Sequence, residues 1–213
     1  AKNKKLAVTT QIVKNKANYK LMLDPADFYI MNEKWKIAAD NYIEFGKQGF
    51  LIHHFFINDD KNRINIASAN NRFTDDITIE IKNLALSDIF GIVQKETQLM
   101  NGIVDGNIVL KRTTNGYGLI ADAKIEDLVV NNIPIGNLNV EAENRTAEKF
   151  DIDLTLSGAE NNFTAKGSYI PNGANQSIHV NAAIQSLSLQ TIQAFSLGNI
   201  TNASVSYTHL TLP

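Results

Sequence analysis

Hydrophobic and polar residues alternate along most of this chain. In KFDIDLTLSG, Phe150, Ile152, Leu154 and Leu156 fall on one side of an extended backbone, and Asp151, Asp153, Thr155 and Ser157 on the other. Successive side chains of a strand point to opposite faces, so the pattern predicts a half-buried strand with one fully apolar face. The same period recurs through Leu6, Val8 and Ile12, through Tyr19, Leu21 and Leu23 up to Asp24-Pro25, and through Trp35 and Ile37. It continues through Ile64, Ile66, Ile77, Ile79 and Ile81, and again in NGIVDGNIVLK, GYGLIADAKIEDLVV, PIGNLNVEAE, NFTAKGSYI and SIHVNAAIQSLSL. Asn, Asp and Gly clusters punctuate these runs at Asn70-Asn71, Asn115-Gly116, Asn161-Asn162 and Pro171-Asn172-Gly173, which predicts turns there. Strands following one another so closely, without helices between them, predict antiparallel hairpins. The exception is SDIFGIVQKETQ, residues 87–98. Ser87 can cap a first turn, Asp88 suits its positive end, and Ile89, Ile92 and Val93 share a helical face, so a short helix is expected.

The chain also repeats itself. ITIEIKNLALSDI (77–89) aligns without a gap on VNAAIQSLSLQTI (180–192), at an offset of 103 residues. GIVDGNIV returns more weakly as NITNASV, with Ala203 standing where a glycine like Gly106 would be wanted. A weak internal repeat, 77–109 against 180–205, points to a continuous, repetitive, elongated β segment over residues 1–205. The last nine residues, VSYTHLTLP, resemble translated sequencing-adapter read-through, and 206–213 are expected to be a non-native tail.

Composition removes several function classes. With 20 Lys and Arg against 22 Asp and Glu, dispersed along the 213 residues, the chain has no basic stripe for nucleic acid. Absence of cysteine excludes disulfides and thiolate metal sites. No run of about 18 apolar residues is present to cross a bilayer as a helix. His53 and His54 are adjacent, and neighbours in a strand point to opposite faces, so they cannot share a metal without a bulge; no metal site is expected. Asp59-Asp60 and Asp75-Asp76 sit in turn-like settings where carboxylates usually face water. The spaced glycines of NGIVDGN and NGYGL precede no helix, as a phosphate loop must, and suit tight turns or close strand approach. No nucleophile motif occurs, so neither an enzyme nor a cofactor is expected.

Alternation alone fits either a closed sandwich or an open groove. From Trp35 to Ser68, and on through LALSDIFGIVQKETQLMNGIVDGNIVLKR and the stretch from Ile125 to Gly173, the chain resembles the TamB family of envelope proteins, relatives of the AsmA-like and bridge-like lipid-transfer proteins. The resemblance rests on the order of a Trp35 strand, a short helix, a Gly102–Gly106 strand, an Ile135-Gly136 strand and a Gly167-x-Tyr169 strand. It implies an all-β fold: an elongated, mostly antiparallel sheet folded into an open U (a β-taco) with an apolar groove, plus one or two short helices. It also implies a periplasmic segment of a protein anchored in the inner membrane, moving phospholipid toward the outer membrane or supporting outer-membrane protein assembly with a barrel partner. On that reading phospholipid acyl chains lie against Tyr117, Leu119, Ile125, Phe150, Ile152 and Leu154. Leu156, Phe163, Tyr169, Ile178, Val180 and Ile184 complete the expected lining. Roughly a dozen strands spaced about 4.8 Å apart would make a trough on the order of 60 Å long. The alternative is a structural or adhesin-like β-sandwich or β-solenoid with a closed core and no lipid.

Overall fold

The computed structural model describes residues 6–93, 100–113, 116–146, 149–170 and 177–195, without the side chains at 91–93, 116–117 and 145–146. The protein is all-β, built of large antiparallel sheets that do not close into a barrel, with two short helices. The chain runs β1 (Leu6–Asn15), β2 (Asn18–Ile30), β3 (Glu33–Lys34), β4 (Lys36–Ile37), β5 (Tyr42–Gly46), β6 (Gly49–His53), β7 (Phe55–Asn58), β8 (Arg63–Ser68) and β9 (Ile77–Ala85). Helix α1 (Leu86–Val93) follows, then β10 (Met100–Thr113), β11 (Gly116–Val130), β12 (Ile133–Thr146), β13 (Lys149–Gly158), β14 (Asn161–Ile170), β15 (Ser177–Ser186) and α2 (Leu189–Phe195).

The strands divide between two sheets. A small one has the order β1-β2-β5-β6, with β3 beside β2; a ten-stranded one runs β15-β14-β13-β12-β11-β10-β9-β8-β7-β4. At about 4.8 Å per strand the larger sheet is roughly 45 Å across, shorter than the trough expected from one sheet of all the strands. Strand β2 continues through Pro25, where a strand end was expected. The register with β1 jumps from Val8↔Phe28 to Thr10↔Leu23, so Asp24 to Asp27 bulge out of the ladder and the missing proline N–H leaves no bond unmade.

Two-residue turns close several hairpins, with both central residues at positive φ as right-handed strand twist demands. Asn131-Asn132 (φ 50° and 65°) joins β11 to β12, and Ala159-Glu160 (φ 47° and 64°) joins β13 to β14. The second corrects the expected turn at Asn161-Asn162. Asn161 instead opens β14 with its side chain buried, donating to Ile135 O, Ala159 O and Thr191 Oγ1 at 2.8–3.1 Å and accepting from Ser188 N at 2.8 Å. Gly136 is obligatory: its φ is +105°, and a Cβ there would stand 2.2 Å from Ser157 O.

Helix α1 begins at Leu86, so Ser87 lies inside its first turn and does not cap it; residues 94–98, expected to extend it, fall outside the described residues. Helix α1 directly follows β9 and α2 follows β15 after two residues, and the two begin 103 residues apart, at Leu86 and Leu189. The weaker return at 199–205 and the tail at 206–213 lie outside the described residues.

Two packed regions result. One gathers Phe28, Trp35, Ile37, Ile57 and Leu84; the other gathers Leu86, Leu128, Val130, Ile135, Leu156 and Ala194. The first clamps the small sheet onto the β4 end of the large one, and the second lays the helices along one margin of the strands β10–β14. Both regions draw on the same face of the ten-stranded sheet.

Candidate functional site

The register resolves that face into rows. One crosses all ten strands through Ile37, Ile57, Ile64, Ile81, Gly106, Ala123, Val140, Leu154, Ala165 and Ala182. The next runs through Phe55, Ile66, Ile79, Ile108, Ala121, Ala142, Ile152, Gly167 and Val180. No polar side chain interrupts either row. On the opposite face the corresponding row reads Asn65, Glu80, Asn107, Asp122, Glu141, Asp153, Lys166 and Asn181, a solvated surface crossed by ion pairs such as Lys166 Nζ to Asp153 Oδ2 at 2.7 Å.

Side-chain size changes along the apolar rows. Toward β4 they consist of Ile and Phe, and from β10 onward Gly106, Ala121, Ala123, Ala142, Ala165, Gly167 and Ala182 lower the floor. Two apolar depressions lie on this lowered part. One, of about 160 Å³, is bordered by Ile152, Leu154, Ala165, Gly167, Tyr169, Ile178 and Val180. The other, of about 400 Å³, lies beside α2 between Leu156, Phe163, Leu187, Ile192 and Phe195. The sheet register joins them through Leu154 and Ala165, and Leu156 to Phe150 spans about 20 Å along the strand.

The sequence-derived lining residues separate into three groups on this face. Ile178, Val180 and Ile184 on β15 are 70, 62 and 59% exposed, with Ile152 at 37%. Leu119, Phe150, Leu154 and Tyr169 are half-buried, Phe150 and Tyr169 forming a tilted pair 6.3 Å apart at the far end. Ile125, Leu156 and Phe163 pack into the core beneath the helices, Leu156 being buried, and Leu156 and Phe163 also border the depression beside α2, so this group forms the covered margin of the face. Tyr117 opposes Arg112 in the sheet, and its side chain lies outside the described residues. Missed from the sequence were the small floor residues and Phe195 of α2. Ala and Gly carry no hydrophobic signal strong enough to mark a face until strand pairing aligns them.

Other polar constellations resolve differently. Asp75 is buried, contrary to the expectation that it faces water. Burial pushes its carboxyl up, but the Asn70 and Arg72 amides and the Arg72 guanidinium at 3.1 Å outweigh this and hold it below the usual range. It organises the β8–β9 turn. Asp59 likewise accepts from the Lys61 and Asn62 amides in the β7–β8 turn.

The histidine pair departs most from its sequence reading. His53 ends β6 and His54 is the single residue before β7, at φ 44°. That left-handed residue supplies the bulge the sequence could not reveal, and both imidazoles turn to the same side, stacked with centroids 3.9 Å apart. Asp40 Oδ2 lies 2.6 Å from His54 Nδ1 and 3.5 Å from His53 Nε2. The His54 hydrogen bond holds the Asp40 carboxyl below the usual carboxylate range.

Comparison of the chain with protein-family models, curated proteins and solved structures returns no match. Among the described residues, no helix is long and apolar enough to cross a membrane.

Proposed function

We propose that the open apolar face of β12–β15 holds phospholipid acyl chains, as one segment of a non-catalytic conduit between the inner and outer membranes of a diderm envelope. The observation that carries this is the ten-strand row without a polar interruption, whose floor drops to Ala and Gly where large exposed side chains stand on β15. Contiguous exposed apolar surface of this kind marks interaction sites. A shallow, elongated floor suits a flexible hydrocarbon chain. Each methylene removed from water contributes roughly 0.8 kcal/mol, so a chain of about fifteen gains roughly 12 kcal/mol against water. Against a bilayer the same transfer is nearly neutral, which lets a conduit both load and release. The TamB-like order of motifs adds the periplasmic setting, an inner-membrane anchor elsewhere in the parent protein, and a role in outer-membrane protein assembly with a barrel partner.

A second reading has its own support. At the β4 end the same rows are covered by another sheet through Phe28 and Trp35, so the open end could be the seat of a further β layer, which would make the segment a scaffold.

Native mass spectrometry of the chain isolated from the periplasm in detergent-free buffer separates the two. Co-purified phospholipid is expected, and it should be lost on combining Ile152→Asp with Val180→Asp. These residues share one row and are both exposed, so circular dichroism should not change. A folded, lipid-free chain, or lipid retained by the double variant, would rule out the acyl-chain reading.

A further inference from the structure

We infer that Asp40, His53 and His54 form a binding site for a divalent transition-metal cation of the zinc class. The three donor atoms lie within 4.8 Å of one another, and Asp40 Oδ2 is their focus. A tetrahedral ion bound at about 2.0–2.1 Å holds its ligands roughly 3.3 Å apart. The His53–Asp40 separation of 3.5 Å already matches. The His54–Asp40 hydrogen bond of 2.6 Å would open by less than about 1 Å. Two imidazoles and one carboxylate select zinc, copper or nickel over calcium or magnesium, which prefer all-oxygen sets.

A second feature favours a cation here. His53 Nδ1 lies 3.0 Å from Asn71 Oδ1, which gives the far ring nitrogen a hydrogen-bond partner. The other ring nitrogen, Nε2, faces the Asp40 carboxylate at 3.5 Å. A partner on the far nitrogen that fixes tautomer and ring orientation is the usual support of a metal-binding histidine. Tyr42 backs the His53 ring, stacked at 4.7 Å. The backbone also contributes, because His54 holds a left-handed conformation that side-chain-bearing residues rarely adopt, and it is this conformation that brings the rings together.

The site occupies the junction of the two sheets. Asp40 lies where the chain passes from β4 in the large sheet to β5 in the small one, and His54 is the sole link from β6 back to β7. A bound ion would clip both crossings together, beside the contact that holds the small sheet over the apolar face.

Titration of the full chain with Zn²⁺ by calorimetry, and with Co²⁺ by its visible absorption, tests this. One ion per chain is expected, with a nitrogen-ligand cobalt spectrum and a rise in the thermal midpoint. Asp40→Asn and His54→Gly should each abolish the cobalt band. Asp40 is exposed, and glycine suits the positive φ of His54, so both variants should keep the unsubstituted midpoint in EDTA. Asn71→Gly, which removes only the positioning partner, should weaken Zn²⁺ about 10- to 100-fold. His179→Ala, on distant β15, should change nothing. Absence of a one-to-one complex, or one that survives both Asp40→Asn and His54→Gly, would overturn the assignment.

Discussion

The two ends of the ten-stranded sheet carry the same apolar rows and meet different fates. At the β4 end, Ile37, Ile57 and Leu84 are buried beneath Phe28 and Trp35, which arrive from the segment that builds the small sheet. At the β15 end, Ile178 and Val180 stand in the same pattern of alternation but are 70 and 62% exposed. The covered end is filled with Ile, and the open end is floored with Ala165, Gly167 and Ala182. Where the protein covers the face with its own atoms, side chains fill the space; where it does not, the floor is low. Period-two alternation therefore identifies a face, whereas side-chain size along the row distinguishes a packed core from a vacant bed.

The largest effect should come from uncovering the closed end. Trp35 is 1% exposed and central to the contact between the sheets. Trp35→Ala should cost about 3–5 kcal/mol in denaturant unfolding, as large core truncations do. It should also make the β4 end resemble the β15 end, with new binding of a hydrophobic dye. A loss below about 1 kcal/mol would mean that the small sheet contributes little to covering the face.

A smaller effect should follow from loosening the helix margin. Asn161 ties α2 to the sheet through Thr191 and the Ser188 amide, and at the other end Asn41 ties the segment before β5 to Leu23 and Ala38. Each half is thus fastened by one buried asparagine. Asn161→Ala leaves the Ser188 amide and the Ile135 carbonyl without their partner, so about 1–3 kcal/mol should be lost by the same measurement. Hydrogen exchange should quicken in α2 and not in β7–β9. Uniform quickening across the sheet would show that the margin and the closed end unfold as one unit.

Much of this architecture was legible because period two is a local property. The runs around Ile77–Ile81 and Phe150–Leu156 state their inward faces without knowledge of their neighbours, and the helix expected from Ser87 starts one residue earlier, at Leu86. What covers a face is not local. Nothing in KWKI declares that Trp35 crosses to another sheet, and Asn161 has the composition of a turn residue but acts as a buried clamp. The histidine site was illegible for a related reason: the strand rule separates His53 from His54, and only the left-handed backbone at His54, set by the passage between sheets, reverses it. Small floor residues such as Ala142 and Gly167 gained meaning only once the register aligned them with Ile152.

The smallest expected effect is the sharpest test of the comparison. Ile178→Ala removes as many carbon atoms as Ile57→Ala, but Ile57 is 6% exposed and Ile178 is 70% exposed. The covered substitution should cost about 2–5 kcal/mol, through lost transfer free energy and the cavity left behind. The open one should fall within about 0.5 kcal/mol of zero, because its side chain is already largely in water. Measured on lipid-free protein at several concentrations, the pair separates intrinsic openness from hidden cover. If Ile178→Ala costs as much as Ile57→Ala, and the cost grows with protein concentration, a second copy of the chain closes the face in solution. A small, concentration-independent value leaves the face open to a removable occupant, and added phospholipid should then stabilise the unsubstituted chain more than the Ile178→Ala variant.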